Sequence, residues 1–382
     1  ASFFDTATRS DLFLFPKNAL GGAFPDGVIG NPDVYERHTR LGVVAQYDGL
    51  PGHKLRMGTG LNIDDLYKVR ETKNFTQNAA GIPLPLGSVV DVTKTAPFVR
   101  TEDRNIVYAF VQDEWAIRPD WTLTAGVRAD DYSDVGSTVN PRLALVWDTR
   151  YNLTSKLLLG RAFRAPSFQE LYNINNPVAL GNPSLRPETI ESVELAFAYR
   201  PAQRLSVNLN LFHYEINRFL RFVRDPLPAT SLTAQNAAKL RANGLEVETS
   251  WELTDALRLS GHAAVQRSKD VDTDADPGNA PRKQAYLRLD WRFAPLWAFD
   301  SQVKWVSKRE RAPGDARPAL DGYTLTDLTL VRRPAKDRGW EFALSLRNAL
   351  DEDAAEPSPD GLVPGDLPLA GRALRVDVRR RF

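Results

Sequence analysis

Cysteine is absent from the 382 residues, and histidine occurs only four times. The first absence rules out zinc–thiolate centres and cysteine nucleophiles. It also suits a protein that crosses an oxidising compartment without needing bridges. The four histidines, His38, His53, His213 and His262, form no HxH or HxxxH pair, so the sequence offers no histidine-rich metal centre. No window of eighteen consecutive apolar residues exists, which excludes a helical membrane span. Charge of one sign is missing too. Lys and Arg number 49 and Asp and Glu 48, for a net charge of +1 with no long basic block, so nucleic acid is not an expected partner. The opening Ala1-Ser2-Phe3-Phe4-Asp5 has neither a basic n-region nor an apolar h-region. It is not a signal peptide, and the expectation is a chain whose beginning lies upstream.

What the sequence does have is an apolar period of two, repeated along its length. In 188–200, Val193, Leu195, Phe197 and Tyr199 alternate with Ser192, Glu194, Ala196 and Ala198. Leu245, Val247, Trp251 and Leu253 do the same in 244–253, as do Trp340, Phe342, Leu344 and Leu346 in 340–347. Such segments are strands with one apolar and one polar face, and no comparably long stretch prefers a helical period. Strands are expected at about 37–47, 53–64, 105–118, 122–132, 140–149, 152–163, 188–200, 204–217, 241–253, 257–268, 284–294, 297–308, 322–333, 340–348 and 371–382. Residues 1–36 are left unassigned between strand and loop. The joints alternate strictly between short, such as Pro119-Asp120-Trp121 and Thr254-Asp255-Ala256, and long, at 65–104, 164–187, 218–240, 269–283, 309–321 and 349–370. An up-and-down transmembrane barrel with tight turns at one rim and long loops at the other has this rhythm, and a strand of roughly 9–11 residues crosses a bilayer with tilt. Although only 42% of the chain is hydrophobic, a barrel needs only every second strand residue to face lipid. Trp115, Trp121, Trp147, Trp251, Trp297 and Trp340 lie at strand ends beside the short turns, where an interfacial girdle belongs. The last strand runs Leu374, Val376, Val378 to a terminal Phe382, with Arg380 where an apolar residue is expected.

Three segments carry a resemblance. The first is Gly160-Arg161-Ala162-Phe163-Arg164-Ala165-Pro166-Ser167-Phe168-Gln169-Glu170-Leu171-Tyr172, and the second is Gly181-Asn182-Pro183-Ser184-Leu185-Arg186-Pro187-Glu188-Thr189. The third is Leu346-Arg347-Asn348-Ala349-Leu350-Asp351, which opens the last long loop. In order and spacing they resemble a TonB-dependent receptor of the Gram-negative outer membrane over about 160–382, and the strand pattern extends the likeness back to about residue 37. The resemblance implies an all-β, antiparallel barrel. This chain would supply about 15–16 of its 22 strands, and the plug domain that fills the lumen would be absent. On that basis 1–382 is one partial barrel domain. Such a fragment alone is not expected to be a competent transporter, because open sheet edges are not tolerated in lipid.

The function implied is import across the bacterial outer membrane of a scarce, bulky ligand. A ferric siderophore is the first candidate, and the energy comes through TonB, whose contact lies in the absent N-terminal region. No covalent chemistry, cofactor or metal centre is called for, and the partners are the TonB complex, the nutrient and outer-membrane lipid. Ligand-binding candidates are Arg164 and Tyr172 in the first motif, with Arg221, Phe222 and Arg224 in the long 218–240 joint. There guanidinium and ring could meet an anionic, aromatic iron chelate. Against these stand plainer readings, in which the motifs only shape the rim (Arg161, Arg164, Arg186 and Glu188 pairing across loops) and the charged loop is merely solvated. A passive porin or a non-functional barrel fragment is the alternative function. A barrel hydrolase would need a Ser/His pair that the sequence does not display. The run Asp272-Thr273-Asp274-Ala275-Asp276 lacks the Gly and closing Glu of a calcium loop.

Overall fold

The computed structural model describes residues 1–382 except 227–228, 336–337 and 359–364. In chain order the elements are β1 (Ser2–Arg9), β2 (Leu12–Phe15), β3 (Val28–Tyr47), β4 (His53–Gln77), β5 (Pro83–Asp91), β6 (Glu102–Arg118), β7 (Trp121–Tyr132), β8 (Gly136–Arg150) and β9 (Leu153–Arg164). A five-residue helix α1 (Phe168–Tyr172) and the short β10 (Ala179–Leu180) follow. Then come β11 (Glu188–Ala202), β12 (Leu205–Arg224), β13 (Leu232–Thr254), β14 (Leu257–Asp270), β15 (Lys283–Ala294), β16 (Trp297–Val306), β17 (Tyr323–Arg332) and β18 (Gly339–Arg347). The pair β19 (Ala355–Glu356) and β20 (Leu367–Pro368) precedes the terminal β21 (Ala373–Arg381). The protein is all-β, and each strand expected from alternation has a counterpart here.

Three expectations need correcting. Residues 1–36 hold β1, β2 and the start of β3, and both short strands pair with β3, from Ser2 opposite Arg40 to Leu12 opposite Gly30. The supposed loop 65–104 is largely strand: β4 runs 25 residues to Gln77 and pairs with β5. The 218–240 joint shrinks in the same way, because β12 reaches Arg224 and β13 starts at Leu232. At about 3.3 Å per residue β4 is about 80 Å long, well over a hydrocarbon core of about 30 Å. Its outer half lies beyond lipid, has no reason to carry an apolar face, and so shows no alternation to read.

The chain divides into two compact units. The first comprises Ala1–Ala144, Leu159–Glu191 and Ile216–Lys239, and the second Leu145–Leu158, Ser192–Glu215 and Leu240–Phe382. In the first unit β3, β4, β6 and β7 pair antiparallel in turn, with Leu41 opposite Leu61, Met57 opposite Val111 and Val111 opposite Val127. Val43 is 72% and Val107 54% exposed, so this apolar face has no protein over it. The other face carries Lys54, Arg56, Gln112 and Arg128 along with two flattened rings. A Cβ on Gly58 would sit 2.7 Å from the Phe110 ring, and one on Gly60 would sit 2.6 Å from the Tyr108 ring. Those positions accept only glycine.

In the second unit β13 to β18 pair in sequence and β18 pairs with β21. One apolar row runs Leu328, Leu346, Leu374 across three strands, and the next runs Leu330, Leu344, Val376. The opposite face is polar, with Arg288 bonded to Asp300 at 2.6 Å and to Asp290 at 2.9 Å. Arg380, the residue out of place in the terminal pattern, lies over the rings of Trp340 (5.4 Å) and Phe382 (4.9 Å). A cation stacked on interfacial aromatics is compatible with a strand end.

Burial is inverted relative to a soluble sandwich. The strand bodies expose their Leu, Val and Trp, whereas the buried apolar clusters collect at loops and outer strand ends. They are Phe24, Val28, Phe75 and Phe98; Leu171, Leu185, Leu220 and Ala234; and Val306, Tyr323 and Ala354.

Candidate functional site

In the first unit the two long motifs close on one another. The chain leaves β9 at Arg164, and Pro166, which cannot extend a ladder, turns it away. Ser167 caps α1 in a reciprocal box: its hydroxyl accepts from the Glu170 backbone N–H at 3.2 Å, and Glu170 accepts from the Ser167 N–H at 2.8 Å. Arg164 donates to Glu170 (2.9 and 3.0 Å) and to Glu188 (3.2 Å), the glutamate next to the end of the second motif. The other oxygen of Glu188 accepts the Leu220 N–H at 2.9 Å, which ties in β12. Burial works against ionisation of Glu170, but the bonds from Arg164 and the Ser167 N–H outweigh it and hold its carboxyl below the usual range. Gly181 donates to Asn173 at 2.7 Å, and a Cβ there would lie 2.5 Å from the Asn173 nitrogen, which explains the glycine. Asn236 accepts from the Arg186 N–H and donates to the Arg186 and Arg218 carbonyls. Beneath this clasp, Arg104 grips Asp134 through Nε and Nη2 (2.7–3.0 Å), both side chains under 10% exposed, and also donates to the Pro166 carbonyl at 2.8 Å.

A second lock in this unit lies in the stretch 65–104, where the alternation predicts only loop. Beyond the apolar-faced part of β4, Glu71 and Lys73 point inward with Phe75, and neither charged side chain is more than 1% exposed. The Lys73 ammonium donates to the carbonyls of Ala96 (2.8 Å) and Asn175 (3.0 Å), lies 3.3 Å from Glu71 and sits 3.5 Å from the centre of the Phe98 ring. Glu71 accepts the Phe98 N–H at 2.6 Å. Burial pushes the Glu71 carboxyl up and pulls Lys73 down to about 8. Three separate segments thus meet on one ammonium. The sequence signal was the shared parity of 71, 73 and 75, which is visible only once the stretch is known to be strand.

The second unit has its own clasp, built on the third motif. Asn348, buried and left-handed (φ 44°), donates to the Glu352 carbonyl at 2.8 Å and the Ala370 carbonyl at 3.3 Å. Its carbonyl accepts the Glu352 N–H at 2.9 Å, and its own N–H donates to Asp327 at 2.8 Å. Asparagine suits a residue that must take positive φ and use its whole amide. Asp351 closes the loop onto Arg372. Farther out, Arg309 pairs with Glu356, Arg311 forks onto Asp366 (2.6 Å on each branch), and Arg317 holds Asp315 and Ser358. The Arg311 hydrogen bonds bring Asp366 down to about 2, and those of Arg317 do the same for Asp315.

The five sequence candidates therefore separate. Arg164 is committed to two glutamates, and Tyr172 packs on the Leu171 cluster with its hydroxyl 3.5 Å from Asp134. Arg221, Phe222 and Arg224 do not lie on a loop as expected but on β12, which pairing carries past the apolar-faced stretch. Phe222 is 39% exposed, and the buried Arg221 Nε has no hydrogen-bond partner among the described residues. In the acidic run, Asp274 pairs with Lys269 and Asp276 with Arg282, so those carboxylates turn to cations.

Long antiparallel strands with an uncovered apolar face, a polar opposite face and pinned loops make up the wall of an outer-membrane β-barrel. The chain belongs to the TonB-dependent receptor-like β-barrel family, whose profile matches residues 2–349. It is 30% identical over 200 residues to an iron-regulated outer membrane virulence protein of Vibrio cholerae, covering 48% of this chain and 30% of that protein. It is 27% identical over 275 residues to the vitamin B12 transporter BtuB of the same species, covering 69% and 41%. A ferric enterobactin receptor mutant from Pseudomonas aeruginosa, solved with enterobactin, superposes with a TM-score of 0.70 at 19% identity over 100% of this chain and 59% of that one. The chain thus spans well under half the length of these curated relatives, and the structural likeness speaks for the fold. The second and third of these are by name a transporter and a receptor, and none is named as an enzyme.

Proposed function

We propose that the chain is the C-terminal barrel portion of an active-transport receptor that binds a scarce, bulky nutrient and imports it with energy drawn through TonB. A ferric siderophore is the first candidate. The observation that carries this reading is the clasp in which Arg164 and Glu188 join the two family-like motifs, within a barrel profile that matches nearly the whole chain. The names of the relatives, an iron-regulated virulence protein and a vitamin B12 transporter, favour a chelate or corrinoid cargo. On this proposal 1–382 is one partial barrel domain supplying about 15–16 of 22 strands, with a plug outside it. Arg221, Phe222 and Arg224 reach the ligand from the outer end of β12, while Arg164 and Tyr172 hold the rim that presents them.

The test begins with the upstream coding sequence of the gene, read for a signal peptide, a TonB-box and a plug. A strain lacking the gene is then grown under iron restriction with single ferric siderophores. Loss of growth on one chelate, restored by the intact gene but not in a strain without TonB, supports the proposal. Solute uptake that is independent of TonB would instead identify a passive channel.

A further inference from the structure

The uncovered apolar face of the second unit carries charges that its own sheet does not answer. Across β14 to β18 and β21 the pairing puts no Asp or Glu on this face. Its charged residues are Lys283 at the long-loop end and, at the short-turn end, Arg332 and Arg380. Arg332 stands opposite Trp297 on one side and Phe342 on the other, one pair beyond the row of Leu330 and Leu344. Arg380 stands opposite Trp340, with its guanidinium over that ring and over Phe382. Both arginines are exposed, and neither has a carboxylate partner among the described residues.

Exposure means something different on the two faces. On the polar face water solvates a guanidinium, so Arg258, which has Ser250 for a partner and no carboxylate, needs nothing more. The apolar face abuts lipid, where a guanidinium is costly at mid-bilayer and is tolerated only near the headgroups. Arginine reaches that level by extending its apolar stem along the surface, among the rings that mark the interface. A guanidinium does not deprotonate in a protein, so the charge stays. With no carboxylate on this face, the anions at hand are lipid phosphates, whose oxygens match the planar fork.

We infer that this short-turn margin is a docking surface for anionic phospholipid of the periplasmic leaflet, the side on which such barrels place their short turns. Arg332 and Arg380 take phosphate oxygens, and Trp297, Trp340 and Phe342 lie against the glycerol and the upper acyl chains. Two cations with no acid among them favour a headgroup of net negative charge, such as phosphatidylglycerol, over a zwitterionic one. A girdle of rings alone would hold lipid without regard to its charge. The inference does not rest on the import reading, since it concerns the outer wall alone.

The test uses the receptor as its host makes it, purified in detergent and offered equal amounts of phosphatidylglycerol and phosphatidylcholine. Native mass spectrometry counts the lipids of each kind that stay bound. The variants are Arg332→Gln with Arg380→Gln, the same pair changed to Lys, and Arg375→Gln, on the polar face of β21, as the control. Retention of heat-shifted mobility on gels confirms folding. The unaltered receptor should retain phosphatidylglycerol at least threefold over phosphatidylcholine. The glutamine pair should abolish that preference, the lysine pair keep part of it and Arg375→Gln keep all of it. If the glutamine pair does not assemble, each single glutamine change should remove part of the preference. No preference in the unaltered receptor, a preference that the glutamine variants keep, or displacement of the lipid by equimolar inorganic phosphate overturns the proposal.

Discussion

The clasps of the two units do the same job with different chemistry. In the first, charge is taken out of water: Glu71 and Lys73 are sealed in, Arg104 and Asp134 nearly so, and an apolar cluster of Leu171, Leu185, Leu220 and Ala234 packs beside them. In the second, a smaller cluster around Tyr323 sits beside arginine pairs in which Glu356 and Asp366 keep part of their surface in solvent, although Asp315 is nearly buried. A sealed pair is stable only while both partners are present, because either one alone is an unanswered charge in a poor dielectric. A half-wet pair loses little when broken, since water takes over. The first clasp should therefore fail sharply and the second by degrees.

The largest effect is expected from Lys73→Met, which leaves Glu71 buried and unpaired at a cost of about 3–5 kcal/mol. Glu71→Leu combined with Lys73→Met should recover most of it, read as the urea midpoint by tryptophan fluorescence in detergent. If the single and double variants unfold together, the sealed-pair account is wrong. The same lysine sharpens the comparison with pH. Its folded value, about 8, lies below 10.5, so between these the unfolded chain binds more protons and stability rises with pH, by at most about 1.4 kcal/mol per unit. Subtracting the Lys73→Met curve from wild type should isolate that slope.

Next in size is Asn348→Ala, which removes side-chain bonds to Glu352 and Ala370 at a left-handed residue and should cost about 2–3 kcal/mol. Faster proteolysis within 349–370, with the strands intact, would locate the damage. Arg164→Gln should cost about 1 kcal/mol or less, because that side chain is nearly half exposed. A larger loss there would move this bridge into the sealed class. The smallest effect is acid sensitivity of the second clasp. Asp315 and Asp366 have folded values near 2, below the ordinary 3.8, so their contribution is complete above about pH 4 and is lost as pH falls through 2. High salt should weaken the same pairs at neutral pH, visible as faster amide exchange at Ser358.

The strand bodies were legible because lipid imposes a period of two on every crossing. The outer halves of β4, β12 and β13 were not, since once clear of lipid neither face needs to be apolar and the residues resemble a solvated loop. That single blindness misplaced Arg221, Phe222 and Arg224 and hid Lys73, whose burial depends on segments 23 and 102 residues away in the chain. The motifs around Arg164 and Asn348 could be recognised, yet which oxygen each side chain would meet could not. The partner of Arg164 that matters most, Glu188, lies 24 residues on, across a loop whose path alternation does not describe.

The glycines of β4 have a consequence for how the wall is set. Phe110 and Tyr108 lie flat where Gly58 and Gly60 have no Cβ. The smallest slide of β4 along β6 that keeps apolar residues on their own side is two positions. Such a slide would leave one ring over a glycine and push the other against Arg56 or Asn62. The bare backbone thus works as a keyway, and the rings are the keys that fit it at a single offset. Because offset between neighbours fixes how far each strand leans, two residues with no side chain help to set the inclination of this stretch of wall.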